Sequence, residues 1–218
     1  GLALVVPISL SIMSKIMTET ASQRIATLER RLAQEGLKRP AMDIPRDDYW
    51  VFGYGSLMWD PGFPHLEVRA TRLHGFRRCF CVYSYNYRGT PERPGLVLGL
   101  DRGGSCWGLA YRVPRAEGAE VMAYLYEREM MTGVYIPRWL GLKDDRGRSV
   151  TALGFVVDRH HKQYAGALSD SETAALICQG AGKRGACQEY LRNTVRHLEA
   201  LGMHDRSLHR LLQLVETT

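Results

Sequence analysis

A chain of 218 residues is long enough for one domain with a substantial core. Its 45% hydrophobic and 24% charged residues match a soluble globular protein, and 22 glycines with nine prolines exceed what a helical bundle needs. The formal charge is +6, but the basic residues are scattered rather than gathered into a stripe or a nucleic-acid module, so nucleic acid is excluded and an anionic small molecule is the milder inference.

The five cysteines (Cys79, Cys81, Cys106, Cys178, Cys187) are odd in number and contain no C-x-x-C pair. That argues against a disulfide framework and for a reducing cytoplasm. Cys79, Cys81 and Cys106 sit in strand-like runs and read as buried structural thiols.

In chain order, the apolar opening Leu2 to Met13 is too short to span a bilayer, and no basic segment precedes it as in a signal peptide. Met13 and Met17 are alternative starts, and this segment is set aside from the fold. Thr18 to Leu37 predicts a helix, with Ile25, Leu28 and Leu32 on one face and Gly36 at its end. Arg39 to Asp48 reads as a linker. The chain thus divides into an arm, helix and linker over 1–47 and a main domain over 48–218.

From Tyr49 the pattern turns to strands. Tyr49 to Phe52 is one, Glu67 to Leu73 alternates weakly, and Phe80 to Tyr85, Leu96 to Leu100 and Cys106 to Val113 are short and apolar. Arg88 to Gly95 is a loop dense in turn formers, and Gly103-Gly104 predicts a tight turn joining two strands. Short strands at this spacing predict a curved sheet or small barrel. Arg115 to Met131 predicts a helix between Pro114 and Gly133, with Ala119, Met122, Ala123 and Tyr126 inward. Val150 to Val157 is a late strand. Helices then follow over Ser171 to Gln179, with Asp170 or Ser171 as N-cap, Gln188 to Ala200 and Ser207 to Val215.

Several motif-like stretches fail on inspection. Gly53-x-Gly55 has Met58 at the third glycine of a dinucleotide fingerprint, and no β–α–β pattern follows. Gly180-Ala181-Gly182-Lys183 has Ile177 and Arg184 where a phosphate loop needs Gly and Ser or Thr, so it reads as a helix–helix connection. His160-His161 reads as a surface pair, since neighbours on an extended chain point to opposite faces. Ser56 lacks the G-x-S-x-G frame of a Ser nucleophile.

Two features remain. In Tyr49 to Leu57 a strand runs into Gly53-Tyr54-Gly55, where glycine permits positive φ or close approach, and the N–H groups beyond the bend can cradle an anion. A plain strand-to-loop turn explains the same residues equally well. The other feature is the acidic end of the middle helix, Glu127-Arg128-Glu129. Two acids two positions apart diverge by about 200° around a helix, so one can face water while the other points inward. Burial would raise the pKa of the inner one and make it a usable acid or base near neutral pH. Helix geometry alone does not choose between them.

Taken together, these residues resemble the ChaC family of γ-glutamylcyclotransferases, on its bacterial side. The signature is Val51-Phe52-Gly53-Tyr54-Gly55-Ser56-Leu57-Met58-Trp59, followed in order by Arg88-Gly89-Thr90-Pro91-x-x-Pro94-Gly95, Trp107-Gly108-x-Ala110-Tyr111-Arg112 and Tyr124-Leu125-x-x-Arg128-Glu129. Gly133-Val134-Tyr135-x-Pro137-Arg138-Trp139, Tyr164-Ala165-Gly166, Gly185-x-x-x-Glu189-Tyr190-Leu191 and Leu198-x-x-Leu201-Gly202 extend the agreement over about residues 48 to 216.

The resemblance implies an α+β fold, a small mixed β-barrel with flanking helices. It implies the conversion of glutathione into 5-oxoproline and Cys-Gly in the cytoplasm, with no metal, cofactor, nucleic acid or membrane partner and with the oligomeric state left open. Glu129 falls on the family's catalytic position. Gly55, Ser56 and Leu57 would hold substrate through their N–H groups, Tyr54 and Tyr164 would line the pocket, and the Arg88 to Gly95 loop and Tyr135 would contact the rest of the substrate. Cyclisation of other γ-glutamyl amino acids or amines is an alternative, as is a non-catalytic glutathione-binding regulator linked to cation transport.

Overall fold

The strand-forming runs between Tyr49 and Val157 close on themselves. In the computed structural model, which describes residues 20–37, 39 and 42–217, the strands are β1 (Tyr49–Gly53), β2 (Glu67–Ser84), β3 (Gly95–Val113), β4 (Tyr135–Asp144) and β5 (Ser149–Val157). They form a closed barrel in the order β1-β3-β2-β4-β5. β1 runs parallel to β5 and the other pairs are antiparallel, so the barrel is mixed. Among the described residues five helices flank it: α1 (Ala21–Gln34), α2 (Gly118–Glu129), α3 (Asp170–Gln179), α4 (Cys187–Ala200) and α5 (Arg206–Glu216). The fold is the expected one. The apolar opening Leu2–Met13 lies outside the described residues. Among those residues no helix is long and apolar enough to cross a membrane.

Two strands are far longer than the sequence pattern predicts. Glu67–Leu73 and Phe80–Tyr85, all but its last residue, fall on β2, and Leu96–Leu100 and Cys106–Val113 are the two ends of β3. Gly103-Gly104 does not turn the chain. Both glycines have positive φ, 99° and 71°, and face the single Gly75 (φ 83°) between the pairs Phe76↔Arg102 and His74↔Ser105. The extra residue on β3 is a bulge, which bends the ribbon enough to wrap it into a barrel. β4 was not expected either. Its register with β5 runs unbroken through Pro137, and Leu140 and Leu142 point inward between exposed Trp139, Gly141 and Lys143.

The helices follow their caps. Thr20 and Gln23 form a capping box at α1, Ile25, Leu28 and Leu32 are buried, and Gly36 ends the helix at φ 76°. α3 is capped by Ser169 through a box with Glu172, rather than by Asp170 or Ser171. Arg115–Glu117 is a 3-10 turn leading into α2 rather than its first α-turn. A small hairpin, β6 (Ala181–Gly182) and β7 (Gly185–Ala186), fills the connection between α3 and α4. His161 is buried while His160 is exposed, so they are not a surface pair. Cys81 and Cys106 are buried as expected, but Cys79 is only partly so.

One glycine controls how closely β1 and β3 approach. A Cβ on Gly108 would lie 2.6 Å from the Phe52 ring and closer still to the Gly53 carbonyl oxygen. Gly108→Ala is therefore expected to lower the unfolding free energy by about 1–3 kcal/mol, as overpacking does, in a denaturant titration.

Candidate active site

β1 ends where Gly53 lets the chain fold back under itself. A Cβ there would meet the Leu57 Cβ at 3.1 Å and the Tyr111 ring at 3.3 Å. Neither Gly53 nor Gly55 takes a positive φ, so close packing rather than handedness requires glycine at position 53. One 3-10 turn follows over Ser56–Met58, closed by Met58 N–H to Gly55 O at 2.8 Å and Trp59 N–H to Ser56 O at 3.3 Å. The N–H groups of Ser56 and Leu57 precede the first bond of that turn and make no backbone hydrogen bond among the described residues. They are the positive end of the turn.

Buried side chains hold this loop from behind. The Arg78 guanidinium donates to Tyr54 O at 2.5 Å and Trp107 O at 2.6 Å, and pairs with Asp205 at 3.0 Å. Tyr111 donates its hydroxyl to Met58 O at 2.9 Å. From the front, Arg128 donates to Ser56 Oγ at 3.0 Å, to Asp60 O at 2.7 Å and to the Tyr124 hydroxyl at 2.7 Å. Arg128 thus ties the loop to the end of α2.

The two acids of α2 part company as helix geometry requires. Glu127 turns outward and takes a bidentate pair from Arg24 of α1, at 2.8 and 2.6 Å. Glu129, the last residue of α2, turns toward the Gly-rich loop and is 18% exposed. Burial pushes its pKa up, against the lowering pull of Arg128, whose Nε lies 3.4 Å from Oε1. The carbonyl dipoles at a helix C-terminus also disfavour a negative charge there.

Glu129 lines a cavity of about 60 Å³ together with Tyr54, Gly55, Ser56, Leu57, Leu98, Tyr135 and Tyr190. Every expected site residue except Tyr164 and the Arg88 to Gly95 loop therefore meets in one pocket. Tyr135 donates its hydroxyl to Leu98 O at 2.6 Å. Tyr54, Tyr135 and Tyr190 all have their pKa raised, by burial first and further by the charge of Glu129, so each remains a neutral phenol. Tyr190 reaches the pocket from α4. Its motif is visible in the sequence, but nothing local separates an aromatic near a helix start from core packing.

Tyr164 lies elsewhere. It lines neither the small cavity nor the two larger ones that also contain Glu129. Its hydroxyl donates to Asp101 at 3.1 Å, and that buried carboxylate is also paired with Arg77 and Arg159. A bridge to Val82 adds Tyr164 to the outer edge of β2.

Comparisons with known proteins identify the family and the fold. The family model described as ChaC-like protein matches residues 49–218. A glutathione-specific γ-glutamylcyclotransferase of Escherichia coli K12 is 37% identical over 197 residues, 90% of this chain and 82% of that one. A protein of the same name from Schizosaccharomyces pombe is 30% identical over 185 residues, 76% of this chain and 90% of that one. The crystal structure of a yeast γ-glutamyl cyclotransferase specific to glutathione superposes with a TM-score of 0.72 at 22% identity, over 78% of this chain and 96% of that one, and so shares the fold. With a family match over the whole barrel and the helices that follow it, the chain belongs to the ChaC-like family.

Proposed function

We propose that this protein is a γ-glutamylcyclotransferase that cleaves glutathione into 5-oxoproline and Cys-Gly. The observation that carries the reading is a half-buried carboxylate with a raised pKa, Glu129, in one small pocket with two N–H groups that have no backbone partner among the described residues. Relatives that carry this activity in their names support the choice of glutathione.

The substrate supplies its own nucleophile. Its α-amino nitrogen attacks the γ-carbonyl carbon, a C–N bond closes the five-membered lactam, and the C–N bond to cysteine breaks. The α-ammonium nitrogen gives up two protons in becoming the lactam N–H, and the departing nitrogen gains two in becoming the ammonium of Cys-Gly, so one carboxylate can accept and return them in turn; Glu129 takes that role. The Ser56 and Leu57 N–H groups hold an oxygen of the γ-glutamyl half, and the Tyr54, Tyr135 and Tyr190 phenols wall the site. Folding the γ-glutamyl chain so that nitrogen meets carbonyl is a proximity effect. The five free cysteines suit the expected reducing cytoplasm.

The test is incubation of purified protein with glutathione and a panel of other γ-glutamyl amino acids and amines. Glutathione is expected to give 5-oxoproline with the highest kcat/KM, and failure to form 5-oxoproline from any of them would refute the reading. The pH profile carries a further expectation. A base whose pKa is raised loses its active form as pH falls through that raised value. The acid limb of kcat/KM should therefore lie above the ordinary Glu value of about 4.3. Arg128→Gln, which removes the opposing positive charge, should move that limb to still higher pH.

A further inference from the structure

Three cavities meet at Glu129 and Tyr135. The small one, at about 60 Å³, has no room for a whole γ-glutamyl peptide, so the half of the substrate that departs must lie in one of the other two. One is a groove of about 690 Å³ between the Gly-rich loop and α4, and it shares Ser56 and Tyr190 as well as Glu129 and Tyr135 with the small cavity. The other, of about 920 Å³, shares only Glu129 and Tyr135, and its lining includes Val82, Tyr83, Tyr85, Val97 and Val134.

The smaller groove carries an excess of positive charge. Arg88, Arg184 and Arg196 line it, and none of the three forms an ion pair among the described residues. Its acids are Asp60, Glu127 and Glu129; Glu127 is held by Arg24 and Glu129 faces Arg128, which leaves Asp60 alone against three arginines. Arg184 is fixed in place, its backbone N–H donating to Tyr87 O at 2.9 Å and its guanidinium lying 4.9 Å from the Tyr87 ring centre. Arg196 projects from α4 one residue before His197, whose ring stacks on Trp59 at 4.6 Å. The larger groove sets Lys162 and Arg128 against Glu35, which lies 3.9 Å from Arg31, and Glu129, and its His161 is held toward the neutral form by burial.

We infer that the groove beside α4 receives the leaving half of the substrate, and that Arg184 and Arg196 select leaving groups bearing a carboxylate. A guanidinium is suited to this task because its planar donors match a carboxylate. The inference rests on the γ-glutamyl reading above and adds to it a substrate class, the γ-glutamyl peptides whose far end is anionic.

The experiment compares kcat/KM for glutathione and for its glycine amide, which keeps the γ-glutamyl and cysteinyl parts but ends in a neutral group. Wild type, the double variant Arg184→Gln/Arg196→Gln and Lys162→Gln are measured with both. Wild type is expected to favour the acid by about tenfold, the scale of one charge-assisted contact. The double variant should lose about tenfold on glutathione, mostly through KM, and nothing on the amide, while Lys162→Gln keeps the wild-type ratio. Equal use of acid and amide by wild type overturns the inference but leaves the cyclotransferase reading standing. So does a ratio that survives the double variant, or one that collapses in Lys162→Gln and so assigns the carboxylate to the larger groove. Wild type that turns over neither compound overturns both.

Discussion

Glu129→Gln is expected to fold normally and to lose turnover of glutathione by roughly 10²–10⁴-fold, the range for removing a general acid–base. Gln keeps the shape of the side chain but neither accepts nor returns the proton. Glu127→Gln, two residues away, should change turnover little, because that carboxylate faces outward to Arg24 and acts only in holding α1. A pair of this partly exposed kind is worth at most about 1 kcal/mol. Stability separates the two variants in the opposite sense. A carboxylate whose pKa rises on folding makes its charged form a cost to the fold, a cost that grows as pH rises above the unfolded value. At neutral pH the Glu129→Gln protein should therefore melt at the same temperature or higher than wild type. Thermal unfolding beside steady-state rates checks both halves, and a Glu129→Gln protein that melts early would make its lost activity uninformative.

Arg78→Leu is expected to cost about 3–5 kcal/mol of stability, the penalty for breaking a buried charged network by removing one partner. The Arg78 side chain is 2% exposed and serves two carbonyl oxygens and the Asp205 carboxylate at once. Asp205 also caps α5 through Leu208 N–H, so one guanidinium joins the back of the Gly-rich loop, β3 and the start of α5. Arg78→Lys keeps the charge but lacks the planar fork, and should recover only part of the loss. Urea unfolding measures both. A cost under 1 kcal/mol for Arg78→Leu would mean that the loop is held by its own packing.

Much of the fold was legible because its signals are local. The α1 face of Ile25, Leu28 and Leu32, the start of β1 at Tyr49, and Gly133 and Gly202 after their helices all follow from short-range rules. The long strands were not legible as single elements. At the Gly75 and Gly103-Gly104 bulge the register slips, which breaks the period-two pattern and imitates a turn. β4 was hidden by Pro137, whose missing N–H reads as the end of a strand.

The site divides in the same way. Gly53 to Leu57 and Glu129 announced themselves as a glycine-rich bend and an acidic helix end, but helix periodicity alone left Glu127 and Glu129 equivalent until family resemblance separated them. In the fold the separation is physical, since one acid meets Arg24 and the other the pocket. Tyr164 was drawn in by its motif, yet Asp101 holds its hydroxyl at the outer edge of β2. Tyr190 and the clamping role of Arg128 depend on contacts between distant parts of the chain, which no window of sequence reports.

The central claim is that the substrate's own amine, and not water, attacks the γ-carbonyl. Reaction of purified protein with glutathione in ¹⁸O-labelled water, followed by mass spectrometry of both products, tests it most directly. Intramolecular attack predicts unlabelled 5-oxoproline in equal amount to Cys-Gly, with no glutamate formed. Glutamate carrying one ¹⁸O would show hydrolysis in its place and contradict the account.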